Sequence, residues 1–152
     1  MTRRKERELV LKVLFAQEFN PIPFSEQLQY LLEEGESNGI TPFVEKMIRL
    51  YLEHKEELDA RIKTKLINWD FSRVAPIDRI LLRMALVEFL FFEDIPPEVT
   101  IDEMIEIGKK YSTPKTGKFI NGLLDALLKE LKAKKLIKKS GRGLITKVRL
   151  DS

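Results

Sequence analysis

The sequence predicts an all-α fold of about seven helices, and three observations carry that prediction. Apolar residues recur at steps of three, four and seven throughout, the period of a helix with one buried face. Segment starts carry helix-opening residues: Thr2, Ser25, Thr41-Pro42, Pro76, Thr100 and Thr113-Pro114. No stretch alternates long enough for a half-buried strand, apart from Leu144–Leu150 (LITKVRL), which is open to reading as a short strand, an arm or disorder.

Thr2 caps a first helix whose apolar face is Leu9, Val10, Val13 and Leu14, with Phe15 at its margin. Pro21 and Pro23 end it. Ser25 opens a short helix with Leu28, Leu31 and Leu32, stopped near Gly35 and Gly39. After Thr41-Pro42, the series Val44, Met47, Ile48, Tyr51, Leu58, Ile62 and Leu66 makes one long helix, or two bent around an exposed His54. A polar turn from Asn68 to Arg73 carries the only tryptophan, Trp69. Pro76 then opens a helix with Ile77, Ile80, Leu81, Met84, Leu90 and Phe91, which Pro96-Pro97 stops. Thr100-Ile101-Asp102-Glu103 fits a capping box, placing the next helix start at Ile101. Thr113-Pro114 caps the last core helix, with Phe119, Ile120, Leu123, Leu124, Leu127, Leu128 and Leu131 on its face.

At 152 residues the chain suits a single globular core. It has no cysteine, which excludes disulfides, a thiolate nucleophile and Cys-ligated zinc, and its one histidine cannot build a His-rich metal centre. No metal or cofactor is called for. The Arg3-Arg4-Lys5 start before LVLKVLFA imitates a signal peptide, but Glu6, Glu8 and Lys12 interrupt it. The run from Met84 to Phe92 is too short to span a bilayer. The expectation is a cytoplasmic protein with no membrane role.

The net charge of +3 is unevenly spread. Residues 132–152 hold eight cations against Asp151, and residues 1–12 five cations against two acids, so the basicity lies at the ends of an acidic body. That asymmetry points to a nucleic-acid partner. Residues 1–131 read as the functional domain and 132–152 as a basic tail, solvating or flexible.

Gly117-Lys118 is not a phosphate loop. Ser112 stands where that fingerprint needs glycine, Phe119 where it needs Ser/Thr, and a helix precedes it. Paired acids such as Glu93/Asp94 fall at helix ends or on polar faces, so no acid–base pair or nucleophile is visible and an enzyme is not expected. What remains is a binding constellation. Arg3, Arg4, Lys5 and Arg7 open the first helix, and Lys109, Lys110, Lys115 and Lys118 surround the start of the last, with Tyr111 and Phe119 interleaved. Cations neutralise phosphates, aromatics stack unpaired bases, and a helix N-terminus offers N–H groups to an anion. Gly122 inside that helix suggests a close helix crossing or, less favoured, the approach of a ligand backbone.

Several of these motifs resemble the NusB family of bacterial transcription antitermination factors. They are Arg73, Ile77-Asp78-Arg79, Leu82-Arg83-Met84-Ala85, Ile95-Pro96-Pro97-Glu98-Val99, Ile101-Asp102-Glu103 and Gly117-Lys118-Phe119-Ile120-Asn121-Gly122-Leu123-Leu124-Asp125. The resemblance covers about residues 2–131. It implies two small helical bundles packed across each other, and a protein that pairs with the small-subunit ribosomal protein NusE. The pair would bind single-stranded boxA RNA and support processive transcription of ribosomal RNA operons within the elongation complex. Carried onto this chain, Arg3, Arg4, Arg7, Lys115 and Lys118 would face RNA, while Phe15, Asp78 and the Phe119 neighbourhood would face NusE. Two features depart from the family pattern: Pro114-Lys115 replaces an often acidic turn, and the tail after Leu131 is longer. Two alternatives stay open. One is a module like that preceding the catalytic domain of ribosomal-RNA cytosine methyltransferases. The other is a homodimer anchored by Phe91, Phe92 or Phe15.

Overall fold

The structure is a computed structural model that describes residues 1–23, 25–27, 29, 40–67 and 69–144. All regular structure among these residues is helical. It comprises α1 (Arg3–Phe19), α2 (Pro42–Lys63), α3 (Pro76–Phe91), α4 (Pro97–Tyr111) and α5 (Thr116–Ala133), with 3-10 turns at Phe71–Arg73 and Gly141–Leu144. The chain divides into two compact units, residues 1–53 and 54–152. Most of the short helix expected after Ser25, including Leu28, Leu31 and Leu32, lies outside the described residues, as does the tail beyond Leu144.

In the first unit, Thr2 caps α1 by accepting from the Lys5 N–H at 3.2 Å, and Thr41 caps α2 by accepting from the Val44 N–H at 3.2 Å. The Thr41 hydroxyl also donates to the buried Glu6 carboxylate, so one residue serves two elements. The α1 stripe is buried as expected and includes Leu11, but Phe15 lies outside it and is exposed. α2 is a single uninterrupted helix whose first half, with Val44, Met47, Ile48 and Tyr51 buried, belongs to the first unit, and whose second half, with Leu58 and Ile62 buried, belongs to the second.

The second unit is built around α3, in which every residue from Ile80 to Phe89 is buried. A helix buried on all sides is a central helix. Its buried charges are matched by partners. Arg83, 3% exposed, forks onto Asp59 at 2.5 and 3.2 Å. Glu88, fully buried, accepts from the Thr100 hydroxyl at 2.7 Å. This corrects the capping-box reading: Thr100 lies inside α4, which starts at Pro97, and its hydroxyl serves the core. His54 also departs from expectation, since its ring stacks on Phe91 with centroids 4.7 Å apart. Phe92 is buried, so of the three proposed dimer anchors only Phe15 is exposed.

α4 and α5 cross closely, but not at Gly122. A Cβ at Gly122 would meet nothing within 4 Å. The crossing uses Gly108 and Gly117. A Cβ at Gly108 would sit 2.7 Å from the Thr116 methyl, and one at Gly117 would sit 3.3 Å from Lys109 Cε.

After α5 the chain turns back rather than trailing away. Leu136 N–H donates to Leu131 O at 2.9 Å and Lys135 takes a left-handed backbone at φ 56, the signature of a Schellman stop. Lys139 Nζ then donates to the carbonyls of Glu88 (2.9 Å) and Phe92 (2.7 Å) at the end of α3. Burial pushes the Lys139 ammonium down to about 8, against the opposing pull of Glu88, Asp94, Glu93 and Glu98.

Gly108→Ala is expected to destabilise the protein by about 1–3 kcal/mol, because the branched Thr116 cannot swing aside. Gly122→Ala should instead stabilise it by about 1 kcal/mol. Urea midpoints of the two variants check the pair; equal shifts would contradict the placement of the crossing.

Candidate functional site

The turn between α4 and α5 is held by threonines. α5 begins at Thr116, two residues later than Thr113-Pro114 suggests, and the capping runs in reverse. The Thr113 N–H donates to Thr116 Oγ1 at 3.2 Å, while that hydroxyl donates to Asp78 at 3.2 Å. Asp78 comes from the first turn of α3, where a carboxylate also favours the helix dipole. Its side chain is buried, and desolvation raises its carboxyl above the usual value, with hydrogen bonds from Ser112 and Thr116 opposing the rise.

This arrangement forms one wall of a cleft of about 300 Å³, lined by Trp69, Arg73, Val74, Ala75, Asp78, Thr113, Lys115, Thr116 and Phe119. Trp69, 55% exposed, and Phe119 stand with ring centroids 6.4 Å apart at 45°. The strand of chain leading from Trp69 to α3 is fixed by Arg79, whose guanidinium donates to the carbonyls of Ser72 (3.3 Å) and Val74 (3.2 Å). The Asp70 carboxylate accepts from the Ser72 N–H at 3.0 Å, a bond that holds its pKa below the ordinary value. Lys63, Arg79 and Arg83 surround the Phe71 ring at 5.4–5.9 Å.

The structure therefore gathers three of the expected site residues, Lys115, Asp78 and Phe119, around one cleft. Lys118 is exposed in the first turn of α5. In the first unit, Arg3, Arg4 and Lys5 are exposed along α1. Arg3 lies 4.2 Å above the Phe43 ring and pairs with Glu6 at 3.5 Å. Arg7 differs from its neighbours: it is 2% exposed, with its guanidinium 5.7 Å from the Phe43 ring. Its place one turn from Arg3 hides this in a sequence reading that counts charges alone. Phe15 is 38% exposed and pairs with the more exposed Phe19 at 4.8 Å. Of the outer cations expected at the α4–α5 turn, Lys109 pairs with Glu106 at 3.5 Å and Lys110 lies over Tyr111 at 5.2 Å.

Sequence reasoning passed over Trp69 and Arg73 as cleft walls. The available signal was a tryptophan in a polar turn just before a buried helix, where a core role is hard to satisfy.

The NusB family model matches residues 4–129 of the 152. The chain belongs to the NusB family. It is 43% identical over 146 residues to the transcription antitermination protein NusB of Salinibacter ruber, an alignment covering 95% of this chain and 91% of that one. The NusB protein of Bacillus subtilis is 36% identical over 131 residues, covering 86% and 98%. Among solved structures, T. maritima NusB superposes with a TM-score of 0.77 at 40% identity, covering 86% and 92%. A structure of the antitermination factors NusB and NusE in complex with dsRNA superposes with a TM-score of 0.73 at 25% identity, covering 86% and 99%. Among the described residues no helix is long and apolar enough to cross a membrane, and no group of three potential ligands could hold a metal.

The raised Asp78 pKa has a definite sign. The folded state favours the protonated acid, so charging Asp78 erodes stability as pH rises from near 3.8 through the shifted value. Asp78→Asn does not titrate, so the stability of wild type relative to this variant should fall across that rise. A flat difference between their urea midpoints from pH 3.5 to 7 would contradict the burial.

Proposed function

We propose that this protein is a cytoplasmic, non-enzymatic transcription antitermination factor. It binds boxA-type single-stranded RNA together with NusE and so supports processive transcription of ribosomal RNA operons. The observation that carries this reading is the convergence of family membership with the exposed cations at the two helix starts. Arg3, Arg4 and Lys5 on α1, and Lys115 and Lys118 at the start of α5, are the RNA contacts in this proposal. Arg7 is left out because it is buried. Phe15, Phe119 and the cleft wall at Asp78 are the NusE-facing residues, and an aromatic pair such as Phe15–Phe19 exposed on a helix is the sort of anchor a protein partner covers.

The NusB–NusE structure similar to this one holds double-stranded RNA, so strandedness belongs in the test. Binding of a boxA oligonucleotide, a scrambled one and a duplex is measured across a salt series, with and without NusE. The expected result is salt-steep binding that NusE strengthens and that favours single-stranded boxA. Arg3→Ala with Lys118→Ala should lower the log–log salt slope by roughly 1.4, at about 0.7 per single-strand phosphate contact. RNA binding unchanged by both substitutions would refute the assignment of these cations. Binding indifferent to sequence and to NusE would refute the antitermination reading.

A further inference from the structure

The C-terminal basic segment lies beyond residues 4–129, the stretch the family model matches. By charge alone it reads as a solvating tail, but its described part, up to Leu144, is held at several points. At its start the Schellman stop fixes Lys135 and Leu136. In its middle Lys139 reaches the last carbonyls of α3, the negative end of that helix dipole. Next, the Ser140 N–H donates to Glu93 O at 3.0 Å, and Gly143, whose N–H donates to Ser140 O at 2.9 Å, sits so close that a Cβ would lie 1.8 Å from Glu93 O. Only glycine fits there.

This anchoring sorts the cations into two kinds. Lys132 pairs with Glu98 at 3.7 Å, Lys134 pairs with Glu130 at 2.8 Å, and Lys139 is turned inward onto carbonyls. Lys135, Lys138 and Arg142 are exposed, and among the described residues none of them pairs with an acid. An expendable tail has no need of a lysine committed to docking it. A cation-bearing segment already held by its backbone gains in binding, because a loose one would lose conformational entropy when RNA ordered it.

We propose that residues 134–142 form a second phosphate-contacting strip, in which Lys135, Lys138 and Arg142 neutralise the backbone of single-stranded RNA while Lys139 clasps the strip to α3. The strip has no aromatic side chain on which a base could stack, and its cations are assigned here to phosphates, so it adds affinity without sequence preference. It rests on the RNA-binding reading above and extends it to RNA outside the specific element.

The test is the salt dependence of RNA binding by the full chain bearing Lys135→Gly, Lys138→Gln and Arg142→Gln. Glycine suits the left-handed backbone at position 135, so the variant removes charge without disturbing the stop. With an RNA that extends past boxA on both sides, the log–log slope should drop by roughly 2, for three contacts at about 0.7 each, while the ratio of boxA to scrambled affinity stays the same. Lys139→Met leaves the three cations present but unclasped, and should weaken binding to the long RNA at constant salt, with its helical circular dichroism unchanged. An unchanged slope in the triple variant overturns the strip. So does an unchanged slope accompanied by weaker NusE binding, which would make the segment protein-facing. Failure of the two readings is distinguishable. If wild type ignores RNA sequence and NusE yet the triple variant loses slope, the antitermination reading falls and the strip stands. If wild type prefers boxA and the slope does not change, the strip falls alone.

Discussion

Thr116 is the residue on which the candidate site depends. Its methyl fills the space over Gly108 that lets α5 cross α4, and its hydroxyl joins Asp78 of α3 to the Thr113 N–H of the turn. Three helices and a turn are thus registered by one small branched side chain. A β-branched residue has few rotamers to choose from, which favours this double role. Because Lys115 precedes it and Phe119 follows one turn later, both inherit their positions from it. A binding site whose first contacts are held this way loses less entropy when a ligand arrives.

The same economy recurs in the buried polar groups. Thr41 caps α2 and satisfies Glu6, Thr100 satisfies Glu88, and Arg83 meets Asp59 through a fork. In each case a charge on one helix is met by a group from another segment. Burying a charge without such a partner would be costly, and a partner from a different element also fixes which helices belong together. α3 can therefore be surrounded on all sides and still carry Asp78, Arg83 and Glu88.

Much of this was legible from the residues. Helical periodicity located buried residues in each of α1 to α5 but gave α3 a single face, whereas Ile80 to Phe89 are buried all round and Ile77, Leu90 and Phe91 are half-buried; Thr2, Thr41-Pro42 and Pro76 marked three helix starts where the structure has them. The motifs around Asp78 and Gly117-Lys118-Phe119 located the region that becomes the cleft. Other features were not legible because they depend on tertiary partners. Thr100 has the local pattern of a cap, yet Glu88, twelve residues away, takes its hydroxyl. Gly122 has the look of a crossing point, but Gly108 and Gly117 are what face the neighbouring helix. Arg7 and Arg3 are equivalent as charges, and only their burial separates them. The docking of the segment around Lys139 was hidden for the same reason, since Lys139 is one lysine among many until the carbonyls of Glu88 and Phe92 are in view.

The most direct test is the affinity of the NusE-bound protein for boxA RNA when Thr116→Val is compared with Thr116→Ser. Valine keeps the shape over Gly108 but cannot hydrogen-bond to Asp78; serine keeps the hydroxyl. If the pin orders the site, valine should weaken RNA binding by about 5–10-fold, the equivalent of a lost hydrogen bond of about 1–1.4 kcal/mol, and serine by clearly less. Equal affinities for valine and wild type, in a folded protein, would contradict the claim that this one side chain sets the binding surface.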